Sequence, residues 1–344
     1  MSVSADRIEQ PTAASYDQMM AMITGFWVTQ IVRAAAAYSV ADHLMNGVAT
    51  AEEIAAAESL DAGVTWRLLR ACASLGLVTS EDGIGFAATD LLRTLLADVP
   101  GSLKGFALSQ SAPGHWLPWG HFPEAVRTGQ RQTIPVHGGE IWDYFARTPQ
   151  EAALFTTSMD NLSAMVVGEA ARLIDTAGTR LAVDVGGASG TLVHALMAAN
   201  PSLRGAVLDL PQVVPDAIAA AEKKGLSNRF EGVVGDFFAV VPSADLFLLK
   251  FILHDWDDDS CVRILRNCRA ALPVGGRVAV VELLVGELGA PGIEPLMDMN
   301  MLAMTGGRER DIAEYDKLFA EAGLERRAVI PNNSPFTIIE AIAN

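Results

Sequence analysis

The sequence has 344 residues, half of them hydrophobic, and 41 acidic against 25 basic residues give it a formal net charge of −16. A chain of this length buries a large core and is long enough for two domains. Its negative charge disfavours binding to duplex nucleic acid or to an anionic membrane, because both would repel it.

Cysteine usage and the N-terminal segment indicate a cytoplasmic protein. Cys72, Cys261 and Cys268 form no C-x-x-C pair, and the last two lie on one predicted helix, so buried free thiols in a reducing compartment are expected. The N-terminal MSVSADRIEQPT lacks the basic start and apolar core of a secretory signal. No apolar run reaches the ~18 residues that predict a membrane span.

Residues 1 to about 12 are predicted to be disordered, and a long apolar helix is predicted at 16–43. A helix that is hydrophobic on most sides is buried. It packs either in the core of one subunit or against a second copy, and we favour a dimer interface. The positions that define the pattern are Met19, Met20, Ile23, Phe26, Trp27, Gln30, Ile31 and Ala34.

The next segment has the order of a winged helix. A helix with a capping box is predicted at 50–57, a second helix at 62–74, and a small hairpin at 77–87. In a DNA-binding module the second helix would carry the contacts to bases and phosphates. Here it offers only Arg67 and Arg70, so a ligand-sensing regulator is the less favoured alternative.

Residues 91–150 are predicted to be mostly helical, interrupted by prolines, and 151–174 form a further helix. That helix leads into the following sheet and is a natural lid over a ligand. An aromatic group in the first of these segments belongs either to the core or to the wall of a flat ligand site. Its members are His115, Trp116, Trp119, His121 and Phe122.

The stretch LAVDVGGASG at 181–190 predicts a strand, a glycine turn and the start of a helix. Glycine tolerates a positive φ and lets a ligand approach the backbone. A second strand ends at Asp209, 19 residues after Gly190, where nucleotide-binding folds place the acid that binds the ribose hydroxyls. The turn is G-G-x-x-G, whereas dinucleotide-binding turns are G-x-G-x-x-G. Its shorter spacing therefore favours one nucleoside with a charged tail over a ligand with a pyrophosphate.

Strands are predicted at 181–185, 205–209, 230–234, 245–250 and 277–283, with a late pair near 326–330 and 336–342. Alternation with helices predicts a doubly wound, seven-stranded α/β sheet. Ligands bind beyond the carboxyl ends of such strands. The charged residues at those ends are Asp184, Asp209, Asp236, Lys250 and Glu282.

Three interpretations are open for the loop after the fourth strand, which contains His254. The acidic residues Asp257 to Asp259 could cap the helix that begins near Ser260 and leave His254 as an ordinary loop residue. His254, Asp255 and Asp257 could bind a metal ion. We favour His254 as a general base, because its unperturbed pKa lies near neutral pH.

From about residue 15 to 342 the chain resembles the class I S-adenosylmethionine-dependent methyltransferases. The similarity is to the dimeric small-molecule O-methyltransferases of plants and of bacterial secondary metabolism. The most specific part of the match is K-x-x-x-H at the end of the fourth strand, whose histidine begins HDW, together with the downstream glutamates. The matching segments are DVGGASG, VLDLPQVV, GDFF, LLKFILHDWDDDSC, LPVGGRVAVVE and GGRERD.

The resemblance implies S-adenosylmethionine as cofactor, S-adenosylhomocysteine as product, no metal ion, and His254 as base flanked by Glu282 and Glu309. Ala188 replaces a glycine that the family often has in the turn. The implied cofactor residues are Ser163, Asp184, Gly186, Gly187, Gly190, Asp209, Leu210, Gly235, Asp236, Phe237 and Lys250. The implied acceptor residues are Trp116, Phe155, Met159, Asp255, Met297, Asn300 and Met301, with Trp119 and Met304 beside them.

The resemblance further implies methyl transfer to a hydroxyl of a small aromatic metabolite by a homodimer that associates through its N-terminal helices. It places a winged-helix dimerisation and lid domain at 1–174 and a Rossmann-like catalytic domain at 175–344. Alternatives are a relative that keeps the cofactor but decarboxylates or hydroxylates a polyketide, and an N- or C-methyltransferase.

Overall fold

The computed structural model describes residues 10–47, 49–331 and 334–343, so most of the predicted disordered lead lies outside the described residues. The chain forms two compact units that divide between Ser111 and Ala112. This division precedes the boundary expected after residue 174, because the intervening helices pack on the second unit. The N–H of Gln132, for example, donates to the carbonyl oxygen of Ala303 at 2.8 Å.

The described part of the first unit consists of helices and one short hairpin. The helices are α1 Ala13–Ile23, α2 Gly25–Ala37, α3 Val40–Met45, α4 Ala51–Glu58, α5 Ala62–Ser74, α6 Asp90–Arg93 and α7 Lys104–Gln110. The antiparallel strands are β1 Val78–Thr79 and β2 Ala87–Ala88. The helix–helix–hairpin order of a winged helix is confirmed, and Thr50 and Glu53 form the expected capping box before α4.

The long helix predicted at 16–43 is wrong in its continuity, because it is broken into α1, α2 and α3. At the first break, Thr24 bonds back to the carbonyl oxygen of Met20 at 2.8 Å, and Gly25, a poor helix former, follows. At the second break, Ser39 has φ 47, which lies outside helical geometry. No single described helix has the length and composition of a membrane span; α1 and α2 meet both criteria only as a pair bent by 46°.

The second unit contains a mixed sheet with helices on both sides. Its helices are α8 Pro113–Gly120, α9 Phe122–Thr128, α10 Thr133–His137, α11 Ile141–Arg147, α12 Pro149–Leu173, α13 Thr191–Ala199, α14 Val214–Lys223, α15 Asp258–Ala271, α16 Glu294–Met304 and α17 Ile312–Ala322. Its strands are β3 Leu181–Val185, β4 Arg204–Asp209, β5 Phe230–Val234, β6 Leu246–Lys250, β7 Arg277–Leu283, β8 Glu325–Pro331 and β9 Phe336–Ile342. A 3₁₀ turn covers Leu253–Asp255.

The sheet order is β5-β4-β3-β6-β7-β9-β8, and the predicted seven-stranded sheet is confirmed. The first five strands in this order are parallel, while β9 is antiparallel to both of its neighbours. The central strands are covered by an apolar cluster on each face, as their continuous apolar sequences require. Their charged residues therefore lie at one edge, where the parallel strands end.

Candidate active site

The turn after β3 has the backbone geometry that its sequence predicts. Gly186 and Gly190 have φ 66 and 74, and a Cβ at Gly186 would lie 2.6 Å from Cδ1 of Ile252. At Gly187 a Cβ would lie 2.6 Å from Cγ of Asp184. Ala188 occupies the left-handed region at φ 49, so its methyl group is accommodated there although the conformation favours glycine.

Two carboxylates face this turn. Asp184 is buried; its Oδ2 accepts from the N–H of Val193 at 3.4 Å, while its Oδ1 has no hydrogen-bond partner among the described residues. Burial raises the pKa of Asp184 to about 6, although the charge of Lys250 opposes the shift. Asp209 accepts from the N–H groups of Ala188 at 2.9 Å and Leu210 at 2.7 Å, and burial raises its pKa.

Helix α12, which the sequence predicts as a lid, is hydrogen-bonded to the sheet edge and the glycine turn at two points. The ammonium of Lys250 donates to Oγ of Ser163 at 2.8 Å and lies 4.2 Å from the ring centre of Phe251. One turn earlier on α12, Asp160 and Ser189 are joined by a side-chain hydrogen bond of 2.5 Å. Ser163 and Lys250, both expected at the cofactor site, are thus in direct contact, whereas no sequence pattern indicates a role for Asp160.

The remaining expected cofactor residues follow β4 and β5. Leu210 is exposed directly after β4. Gly235 and Asp236 follow β5, where Oδ1 of Asp236 accepts from the N–H of Phe238 at 2.8 Å. Phe237 packs edge-on against Trp256, with ring centres 6.0 Å apart. All of them therefore lie at the carboxyl edge of the sheet.

His254 lies in the 3₁₀ turn after β6. The chain leaves β6 through Phe251, which has φ 59, an uncommon value for a bulky residue. This bend presents two consecutive N–H groups, those of Ile252 and Leu253, to Oε1 of Glu282 at 2.9 Å each. The carboxylate at the end of β7 thus fixes the start of the loop that carries His254.

The structure brings His254, Glu282 and Glu309 together. Nδ1 of His254 lies 2.8 Å from Oε1 of Glu309 and 3.5 Å from Oε2 of Glu282, and Nε2 lies 4.0 Å from Oδ1 of Asp255. Burial alone would lower the pKa of His254, but the charges of Glu282, Asp255 and Glu309 outweigh it and raise that pKa to about 10. Burial raises the pKa of Glu282 to about 7 and that of Asp255 to about 6.

The metal alternative involves a different residue set from the one considered above. Asp257 caps α15 by accepting from the N–H of Ser260 at 2.8 Å, as the alternative without a ligand predicts. One ligand atom each of His254, Glu282 and Glu309 lies within 4.8 Å of the others. That set could hold a cation, but the raised pKa of His254 favours the protonated imidazole, which is not a metal ligand.

The expected acceptor residues fall into two contact groups. Phe155 on α12 lies 4.9 Å from Phe145 and 5.8 Å from His115 between ring centres. The indole N–H of Trp119 donates to Oδ1 of Asn300 at 2.8 Å. Asn300 also contacts Sδ of Met297 at 3.8 Å. Trp116 and Met159 are half-buried on α8 and α12, while Met301 and Met304 are buried on α16.

Besides Asp160, two residues beside His254 were not predicted from the sequence. Gly307 and Arg310 both contact the loop that carries His254. They lie in GGRERD, in which only Glu309 was assigned a role. Their contacts are with a loop about 50 positions earlier in the chain. No pattern in the sequence indicates that Gly307 and Arg310 would contact it.

A glycine turn, acidic strand ends and a histidine between two glutamates define a nucleoside-binding α/β enzyme of the methyltransferase class. Residues 119–325 match the family model of the O-methyltransferase domain, and residues 20–98 match that of the O-methyltransferase dimerisation domain. The chain belongs to this family and is an S-adenosylmethionine-dependent O-methyltransferase.

Curated relatives match over nearly the whole chain. The phenazine O-methyltransferase PhzM of Lysobacter antibioticus is 32% identical over 94% of this chain and 95% of its own. The mitomycin biosynthesis 6-O-methyltransferase of Streptomyces lavendulae is 33% identical, with 95% of each chain covered.

Solved structures agree with these relatives. The mitomycin 7-O-methyltransferase has a TM-score of 0.90 and 33% identity over 96% of this chain and 98% of that chain. An O-methyltransferase from neocarzinostatin biosynthesis, in complex with S-adenosylmethionine and 2-hydroxy-5-methyl naphthoic acid, has a TM-score of 0.80 and 36% identity over 92% and 96%.

Proposed function

We propose that this enzyme methylates a hydroxyl group of a small aromatic acceptor and that His254 receives the proton of that hydroxyl. The observation that carries the proposal is the position of Nδ1 of His254 against Glu309 and Glu282. It is supported by the relatives whose names specify phenazine and mitomycin O-methylation, and by the structure that binds a hydroxynaphthoic acid.

The residues around the glycine turn fit S-adenosylmethionine. The buried Oδ1 of Asp184, which accepts no hydrogen bond from the part of the chain that the structure describes, suits the ammonium of its amino-acid end. Each oxygen of Asp209 accepts one N–H group, and a carboxylate has further lone pairs for a ribose hydroxyl. Phe237 and Asp236 would bind the adenine. When bound, the cofactor supplies an activated methyl group on a sulfonium.

The remaining task of the protein is to orient the acceptor oxygen and manage its proton. Orientation of reacting groups contributes roughly 7–11 kcal/mol to such transfers. The aromatic group around Phe155 offers flat apolar walls, while Asn300, Met297 and Trp119 offer an adaptable second wall. These surfaces suit a planar ring with one acidic hydroxyl.

The raised pKa of His254 matches this task. The pKa of about 10 is close to the ~10 of an ordinary phenol, so a proton moves from the hydroxyl to Nε2 at little cost in free energy. In the free enzyme at neutral pH the imidazole is protonated. The imidazolium therefore first gives its proton to water, and the neutral ring then takes the proton of the bound hydroxyl, which leaves a phenolate beside an imidazolium.

We propose a homodimer that associates through the N-terminal helices. Residues 20–98 match a dimerisation domain, and α1 exposes Met19, Met20 and Ile23. Apolar surface of this kind is typical of an interface. A cytoplasmic location, without nucleic-acid or membrane partners, remains a prediction from the sequence.

A methyl-transfer assay tests the proposal. The protein is incubated with S-adenosylmethionine and a panel of phenols, hydroxyquinones, phenazines and flavonoids, and products are identified by mass. We expect one added methyl on a hydroxyl and its loss in His254→Gln. His43→Gln is the matched control, because His43 forms a similar pair with Glu58 at 2.7 Å in the first unit. Equal turnover by wild type and His254→Gln would contradict the role of His254.

A further inference from the structure

We infer that Gly307 and Arg310 form a cradle for the loop at 253–256 and are positioning residues that hold His254 against Glu309. The inference rests on the proposed function for its catalytic meaning, but its structural part is measurable without turnover. Neither residue belongs to the cofactor and acceptor sets described above.

Gly307 lies against the backbone of the loop at 253–256. A Cβ added there would lie 2.0 Å from the carbonyl oxygen of His254, 2.4 Å from the carbonyl carbon of Asp255 and 2.7 Å from the nitrogen of Trp256. All three atoms are backbone, so no side chain can rotate away. Glycine is therefore required by close approach, since any larger residue must displace the loop or the segment opposite it.

Arg310 holds the same loop through its guanidinium group, which is fully buried. Nη1 donates to the carbonyl oxygen of Leu253 at 3.0 Å and Nη2 to that of Trp256 at 2.8 Å, so the contacts flank His254 on both sides. Nε and Nη2 donate to Oδ1 of Asp258 at 2.9 and 2.8 Å. A planar fork of five donors can make this set of bonds, and an ammonium cannot.

The segment that contains these residues is itself fixed to the sheet. Leu284, just after β7, forms a parallel bridge with Arg310, and the N–H of Val285 donates to the carbonyl oxygen of Arg310 at 3.1 Å. The N–H of Glu309 donates to Oδ1 of Asp298 at 3.0 Å. The two glutamates are thus placed by connected backbone, and the cradle places the histidine between them.

This arrangement gives the buried arginine a specific effect beside the site. Burying a guanidinium is costly, and its carboxylate partner Asp258 is more than half exposed, so the ion pair is weak evidence for stabilisation. Its other acceptors are the carbonyl oxygens that flank His254, along with that of Arg308. Its specific effect is therefore on the position of His254. A functional side chain of this kind must be held within ~0.5 Å of its productive position.

The test is the titration of the His254 ring by NMR in protein labelled at its histidines, with His254→Gln used for assignment. We expect the His254 midpoint of Gly307→Ala to fall by at least about one pH unit, because separation from Glu309 removes a stabilising charge. Arg310→Lys should produce a smaller fall. Affinity for S-adenosylhomocysteine, measured by calorimetry, should stay at the wild-type value in both variants.

Two control variants separate positioning from general destabilisation. Gly168→Ala adds a methyl on α12, where no described atom apart from the adjacent residues and the backbone of the helix itself lies within 4 Å of the new Cβ. Arg277→Lys alters another buried arginine, which pairs with Glu340 at 3.2 Å at the opposite end of β7. Both controls should leave the His254 titration unchanged, even though Arg277→Lys lowers the melting temperature.

The inference is overturned if Gly307→Ala and Arg310→Lys, both folded, titrate at His254 like the wild type. It is also overturned if Arg277→Lys shifts the titration as much as Arg310→Lys does. If Gly307→Ala does not fold, the comparison of the His254 titration in Arg310→Lys with that in its control, Arg277→Lys, decides the inference. A shifted titration with unchanged methyl transfer would uphold the cradle and refute the proposed role of His254.

Discussion

The Nδ1 atom of His254 lies 2.8 Å from Oε1 of Glu309. This bond commits one ring nitrogen to a buried carboxylate, so Nδ1 carries hydrogen, and in the proposed function Nε2 is the nitrogen that exchanges a proton with the acceptor. Glu282 contributes differently, because its Oε1 accepts two backbone N–H groups of the loop and its Oε2 faces the ring. One glutamate thus orients the ring, and the other also holds the loop.

Glu309→Gln should lower the pKa of His254 by about 1–3 units, because a neutral amide replaces a hydrogen-bonded charge. His254 has a folded-state pKa raised from 6.5 to about 10, so its contribution to stability is complete below about pH 6.5 and is lost as pH rises through about 10. The free energy of unfolding, measured in urea, should therefore be higher for wild type than for Glu309→Gln at about pH 6.5, and this advantage should shrink as the pH rises to about 10. An advantage that grows with pH would contradict the assignment.

Affinity for S-adenosylhomocysteine should fall as pH drops below about 6, where Asp184 becomes protonated because burial raises its pKa. A protonated carboxyl no longer attracts an ammonium. Asp184→Asn should weaken binding by roughly 10–100-fold at pH 7, the size of a charge-assisted hydrogen bond. Calorimetry measures both effects. Asp216→Asn on the exposed start of α14 is the control and should bind like the wild type.

Ala188→Gly should stabilise the fold by about 1 kcal/mol, because glycine adopts a left-handed φ without the strain of a Cβ. The N–H of residue 188 can still donate to Asp209. Ala195→Gly, in the interior of α13, should instead destabilise by about 1 kcal/mol. Thermal unfolding of both variants measures the contrast, and a loss of stability in Ala188→Gly would refute the strain argument.

The proposed dimer predicts that Trp27→Glu shifts the protein toward monomer, since Trp27 is an exposed apolar residue in the region that matches the dimerisation domain. Light scattering after size exclusion measures the change. Val274→Glu is the control, because Val274 is an exposed apolar residue in the second unit, outside the region that matches the dimerisation domain. The interface assignment fails if Trp27→Glu remains as dimeric as the control.

The parallel strands were predictable because buried strands have continuous apolar sequences, and their ends fell within one residue of those expected. The charged residues at those ends followed from topology alone. The breaks at Thr24 and Ser39 were not predictable, because the apolar period continues across them and only local backbone geometry interrupts it.

The candidate site was predictable in part. His254, Glu282 and Glu309 were recognised through motifs, and folding brings them together. The raised pKa of His254 depends on Glu282 and Glu309, which converge from two distant segments, as well as on the adjacent Asp255; no local pattern contains the two glutamates. The close approach of Gly307 to a loop distant in sequence is likewise a property of the fold alone.

The most direct test of the role of His254 is a series of phenols with pKa values from about 5 to about 10, assayed with wild type and His254→Gln at saturating S-adenosylmethionine. A general base contributes about 10²–10⁴-fold, and most where the hydroxyl holds its proton tightly. We predict that the kcat ratio of wild type to variant rises with phenol pKa. A ratio that stays constant across the series would show that His254 does not take the proton.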